Sequence, residues 1–244
     1  MSRDAERMKS RRKQRQGGQE ILEFALSALF LIPIFLGLVV TGLAVIDSIQ
    51  VNTLARDLDN IYIHGGDFST AAYQALTQSL ANGLGLQYPA FASGTTNIQS
   101  NTGTSGNGII WVSQLMWIGS TTDPNCAAVG GTNCINHNSF VYTQQIVFGN
   151  SSLTSTKNTT VGNALTNGAT ISTSGTVSNP VTDATAKLPV APQAAMQALW
   201  QTTSNGQSPL IDGQVLYIVE AYIQTPNLSF GAVSNTGAYA RYFF

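Results

Sequence analysis

The chain has 244 residues and a mass of 25.8 kDa, room for one globular domain with or without an anchor. Only 9% of its residues are charged, against about 25% in an ordinary soluble domain, while 43% are hydrophobic; a chain disordered throughout is excluded. The net charge of −1 hides a split: Arg3, Arg7, Lys9, Arg11, Arg12, Lys13 and Arg15 outnumber Asp4 and Glu6 at the start, whereas four basic residues face seven acidic ones from Ser48 onward. A basic arm ahead of an apolar run is not the basic patch of a nucleic-acid binder, and it argues against a cytosolic enzyme.

That apolar run is Phe24–Ile46, 23 residues without a charge. At 1.5 Å per residue a helix of this length covers about 34 Å, enough for a hydrocarbon core of about 30 Å. The preceding Arg/Lys cluster keeps the N-terminus in the cytoplasm and places everything after Ser48 outside. Pro33 sits within the run and is tolerated there as a kink. Three readings compete. A cleaved secretory signal needs an apolar core of about 7–15 residues, shorter than this one, and Gly42-Leu43-Ala44 is a poor cleavage box. An uncleaved signal anchor is the second reading. The third starts from Glu23, a carboxylate at the edge of the apolar run. Such a group costs a few kcal/mol unless it is paired or reaches the interface by snorkelling. A cut after Gly18 creates a cation for it, the α-amino group of Gln19, and makes Glu23 the fifth residue of the mature chain. In a bundle, the amine of one subunit then meets the Glu23 of its neighbour.

The stretch Arg15-Gln16-Gly17-Gly18-Gln19-Glu20-Ile21-Leu22-Glu23-Phe24-Ala25-Leu26 resembles the processing site of type IVb prepilins and of the TadE-like pseudopilins of tight-adherence pilus systems. The shared pattern is a basic leader ending in Gly, four residues, Glu, an aromatic residue and an apolar helix. The resemblance implies that Gly18 precedes the cut, that Gln19 becomes the N-terminus, and that Glu23 with Phe24 serves subunit pairing in the membrane. It is strong over about residues 11–28. It is weak over 48–63, where Thr53-Leu54-Ala55-Arg56-Asp57 only partly matches the family's Ala/Arg-rich stretch, and beyond that it is architectural.

After the span, Ile46, Ile49, Leu54, Leu58 and Ile61 recur between polar residues, predicting an amphipathic helical continuation that stops before Gly65-Gly66. Asp57 and Asp59 on it read as a solvated face. Ser69 is the expected N-cap of a helix over 70–82, with Gly83 and Gly85 as its stop. Residues 93–108 read as a surface loop. Strands are expected over 109–118, 139–148, 213–225 and 237–244, and a short helix over 193–201. The Ser/Thr/Asn/Gly-rich segment about 150–187 reads as an extended insertion with one edge hairpin at 170–177 and no large apolar face. The fold class expected is α+β: a long N-terminal helix, then a head with helices on one face of an antiparallel sheet of about four strands, pilin-like.

Cys126 and Cys134 bracket a short flexible loop, and outside the cytoplasm such an even pair favours a disulfide. A zinc site would need further ligands, and of the two histidines His137 is near and His64 remote. Neither Gly-x-Ser-x-Gly, a phosphate loop nor His-Glu-x-x-His occurs. No catalytic residue, metal or cofactor is expected.

The domain organisation expected is a basic leader at 1–18, a transmembrane and amphipathic helix at 19–63, and an extracytoplasmic head at 64–244. The function expected from the resemblance is that of a minor pilin or pseudopilin in assembly of a tight-adherence pilus at the inner membrane. Its implied partners are a prepilin peptidase, other minor pilins, the major pilin, the assembly platform and the lipid bilayer. The rival reading is an exported binding protein or enzyme on an uncut signal anchor.

Overall fold

The computed structural model describes residues 3–83, 102–103, 108–150, 153, 164, 167–203, 210–224 and 237–244. Helix α1, Arg3–Ile63, runs through Gly17-Gly18 and contains Pro33. The chain divides into two compact units, Met1–Ile46 and Asp47–Phe244, so the last turns of α1 belong with the head. That boundary falls where the apolar run ends. In the first unit the apolar side chains point outward all round: Phe24 is 75% exposed and Leu38 67%. Its helix is long and apolar enough to cross a membrane, with a mean hydropathy of 2.7 over its most apolar stretch. A helix that is hydrophobic on every side is stable only inside a large core or a bilayer.

The second unit is α+β. Its sheet has the order β1-β3-β2-β4-β5. Four strands form an antiparallel set: β2 (Gly108–Ile118), β3 (Ser139–Asn150), β4 (Val215–Ile223) and β5 (Ala238–Phe243). The two-residue β1 (Thr102–Gly103) adds to β3 in parallel, inside a stretch that reads from the sequence as loop; its other residues 93–101 and 104–107 lie outside the described ones. The four antiparallel strands fall where the alternating, β-branched and aromatic runs of the sequence place them.

One face of the sheet takes the end of α1. Val51, Leu54, Ala55, Leu58 and Tyr62 are buried against Ile110, Val112, Ile146, Phe148, Val219 and Ala221. The spacing of three, one, three and four residues gives a single stripe on a 3.6-residue helix. Ile46 and Ile49, expected on this stripe, lie off it and are 50% and 60% exposed. Tyr62 closes the packing with its ring edge-to-face against Tyr217, centroids 4.8 Å apart, and its hydroxyl donating to Gln144 Oε1 at 2.7 Å. Helix α2 (Ala71–Gly83) follows. Asp67, not Ser69, organises its entry: the Asp67 carboxylate accepts from the Ser69 N–H at 2.9 Å, and its carbonyl accepts from the Thr70 hydroxyl at 2.8 Å.

The other face is covered too, which corrects the expectation of helices on one face only. Met196 of α4 (Val190–Thr203) packs with Leu115, Trp117, Phe140, Tyr142 and Ile218. The insertion joins this cluster. Ala164, Ala169, Val177, Ala186 and Leu188 are buried in it, so the segment read as lacking an apolar face supplies small apolar groups one at a time. The expected hairpin at 170–177 is present as the Ile171–Val177 bridge, and Gln144–Thr176 attaches it beside β3.

A β-bulge makes the two-faced core possible. Gln114 pairs with Gln144, but Leu115 pairs with Tyr142, leaving Thr143 as the extra residue. An extra residue reverses which side chains point to which face. Ile146 and Phe148 therefore face α1, while Phe140 and Tyr142 turn to the α4 side. The Thr143 hydroxyl donates to the Gln114 carbonyl at 3.1 Å, and its own carbonyl accepts from the Val177 N–H at 2.9 Å.

Candidate functional site: the segment around Gly18 and the helix behind it

Gly18, Gln19, Glu23 and Phe24 all lie on α1, so they share one continuous helical backbone. Glu20, Glu23 and Phe24 are exposed. Glu23 lies four positions beyond Gln19, about one turn along the helix. Glu23 stands beside the exposed Phe24 and directly ahead of the apolar surface. The geometry of the apolar unit leaves Glu23 the last charge before Asp47.

The helix connects that segment to a head in which its own last turns are core. Between them the sequence signal changes from all-round apolar to a stripe, and the burial changes from exposed to complete at Val51, Leu54 and Leu58.

Cys126 and Cys134 are joined, with Cα atoms 5.1 Å apart, and both are buried with Ile118 and Val141. Cys126 lies on α3 (Pro124–Ala128). Asp212 fastens the same loop to the start of β4. Its carboxylate accepts from Gly119 N at 2.8 Å, from Asn125 N at 3.0 Å and from Asn125 Nδ2 at 3.1 Å. Partial burial alone would raise its pKa, but these donors outweigh it and hold the carboxyl below its ordinary range.

Two buried carboxylates were not anticipated from the sequence. Asp59, read as part of a solvated face, is 4% exposed, and its Oδ1 has no hydrogen-bond partner among the described residues. Burial raises its pKa to about 6. It sits one residue past Leu58, at the border of the stripe; Asp57 remains at the surface against Arg56. Glu220 is 1% exposed on the face away from α1. It stands in a cross-strand row between Trp111 of β2 and Arg241 of β5, and the Tyr239 hydroxyl donates to it. Next to this row Gln145 Nε2 donates to the Ser113 hydroxyl at 3.0 Å. A sequence signal for Glu220 did exist: it is the lone charge in the strand VLYIVEAYI. His64 is exposed, with Nδ1 2.7 Å from the Asn60 carbonyl, and His137 is a loop residue beside Asn138. Among the described residues no three His, Cys, Asp or Glu side chains gather where a metal would bind.

The chain matches no protein-family model, no curated protein and no solved structure.

Proposed function

We propose that this chain is a minor pilin or pseudopilin of a tight-adherence type IVb pilus, held at the inner membrane with its head outside. The observation that carries the reading is the order of parts on one helix. A basic leader comes first, then Gly18, then Glu23 four residues beyond Gln19, then a wholly apolar span, and then a stripe committed to a sheet-bearing head. A prepilin peptidase removes residues 1–18. Glu23 pairs in the membrane with the amine of a neighbouring subunit, Phe24 packs beside it, and the apolar helix bundles with partner helices. The head contacts other minor pilins and the major pilin. The reaction is assembly, and its driving forces are helix packing and a desolvated ion pair rather than bond chemistry.

The experiment is the intact mass of the protein extracted from membranes. The reading expects a chain beginning at Gln19. A full-length chain, or one cut near Ala44, overturns it in favour of an exported binding protein or enzyme on a signal anchor. Gly18→Val is expected to block the cut, because a branched side chain keeps the peptidase from close approach to the backbone.

A further inference from the structure

We infer that the end of the head reached by Tyr62, opposite to where Asp47 enters it, is a docking surface for an apolar surface on a different protein. The inference rests on the membrane-anchored reading above and names the part of the head that meets a partner.

Beyond α1, six large apolar side chains stand exposed among the described residues. Five of them gather at this end, from Val215 at 37% to Val190 at 83%; Leu76 is the sixth. The strand ends place the five. Val215 opens β4, and Phe244 exchanges both backbone hydrogen bonds with Tyr217, so Val215 and Phe244 are diagonal neighbours on adjacent strands. Ile211 stands in the turn into β4, where the Gly213 N–H donates to the Trp117 carbonyl at 2.9 Å. Ile135 lies in the loop between β2 and β3. Val190 begins α4, two residues after the Leu188 N–H donates to the Phe140 carbonyl near the start of β3. From β3 across β2 and β4 to β5 is three strand spacings, about 14 Å. A partner burying about 800 Å² of this chain reaches across that width.

The surface is also held in place. Ile135 follows Cys134 of the disulfide, and Ile211 precedes Asp212, whose carboxylate accepts from Gly119 and Asn125. Each clamp fixes the exposed isoleucine next to it, so less freedom is lost when a partner binds. Asp212 and Asp123 both turn their carboxylates to backbone N–H groups, Asp123 accepting from Ser120, so contact there rests on packing rather than on ion pairs.

The other occupants fit less well. The apolar run stops at Ile46, and Tyr62, which touches Tyr217 at this end, lies about 24 Å of helix further on, away from lipid. Two copies docked end to end would turn their Asp47 ends in opposite directions, which anchors in one bilayer forbid. A second copy docked end to side needs a matching apolar patch elsewhere. Outside this end, the described residues of the second unit expose only Ile49 and Leu76 among large apolar side chains. An apolar surface on another protein remains.

The test keeps the full chain in its own cells and places a photoactivatable residue at Ile211, or at Leu76 as the control position. Illumination is expected to join Ile211, and not Leu76, to one protein of different sequence, identified by the masses of the joined peptides and linked through an apolar segment. Ile135→Asp with Val190→Asp should abolish that adduct and leave the denaturation midpoint of the head unchanged, since both side chains are exposed. If the midpoint falls, Ile135→Ser with Val190→Ser gives the same readout without added charge. Adducts between two copies, adducts with lipid, equal adducts from both positions, no adduct, or an adduct that survives the substitutions each overturn the inference. The intact mass of the same material reads the N-terminus separately. A chain beginning at Gln19 without the Ile211 adduct overturns this inference alone, and a full-length chain with the adduct overturns the pilus reading alone.

Discussion

The two halves of α1 share one backbone and differ in what they ask of their surroundings. Phe24–Ile46 turns apolar side chains in every direction, so no single protein face can cover it. Asp47–Ile63 gathers Val51, Leu54, Leu58 and Tyr62 into one stripe, and a sheet covers that stripe completely enough to leave three of the four at 0% exposure. Helix propensity does not distinguish the halves. The width of the apolar surface does: one half is apolar enough all round to cross a membrane, and the other has a single face that a sheet covers.

The sharpest way to break this comparison is by truncation. A chain starting at Val51 drops the lipid-facing run and keeps the stripe; it should be soluble and fold cooperatively. A chain starting at Asp67 bares the sheet face and should aggregate, since each lost large apolar side chain contributes about 1.5–3 kcal/mol when buried. Equal solubility and equal denaturation curves would make residues 51–63 a linker. Point substitution repeats the contrast on a finer scale. Leu58→Ala should destabilise the head by about 2–5 kcal/mol in chemical denaturation, whereas Leu38→Ala should leave it unchanged.

Glu23→Ala probes the lipid half. For one helix the change lowers the cost of insertion, so cleavage and membrane insertion should persist. On the proposed pairing it strands a neighbour's amine in the bundle, and losing one partner of a desolvated pair costs about 3–5 kcal/mol. Even half of that exceeds a tenfold loss in association at about 1.4 kcal/mol per decade. Co-purification of partner pilins and pilus yield would be measured, with cleavage checked. Wild-type levels of both would leave Glu23 a snorkelling carboxylate.

In the head, opening the Cys126–Cys134 bond should matter less, because its loop is short. Replacing both cysteines by serine is expected to cost about 2–3 kcal/mol, read as a shift of the denaturation midpoint without a change of slope. An unchanged midpoint would mean that the Asp212 hydrogen bonds alone hold the loop.

An effect of at most the same size is expected at Asp59, and it has a sign. The unfolded carboxyl titrates near its ordinary value of 3.8 and burial pushes the folded one up to about 6, so on raising the pH the unfolded chain gives up its proton first. The head should therefore be most stable with Asp59 protonated and lose up to about 2–3 kcal/mol as the pH climbs from about 4 to about 6. Asp59→Asn should remove that slope and raise stability at pH 7. Denaturation midpoints of both proteins across this range decide it. A parallel pair of curves would show that Asp59 is solvated after all.

The sequence alone settled the features that are local. The basic charge at the N-terminus, the length of Phe24–Ile46, the stop at Gly65-Gly66 and the four strand positions each depend on residues near one another, because hydropathy period and charge are read over a turn or two. The disulfide was legible because only one pairing was open to two cysteines. What tertiary structure decided is everything that depends on who lies opposite. Ile46 and Ile49 have the right chemistry for the stripe and the wrong angle on the helix, and only the docked sheet shows where the stripe runs. Strict alternation would put Phe140, Tyr142, Ile146 and Phe148 on one face, and the bulge at Thr143 divides them between two. The insertion looked coreless because its buried groups are small and scattered, and they become core only where strands from elsewhere in the chain meet them. Asp59 and Glu220 are charged residues by composition and buried ones by position. Burial is a property of the neighbours a residue acquires, and those come from parts of the chain that local pattern cannot bring together.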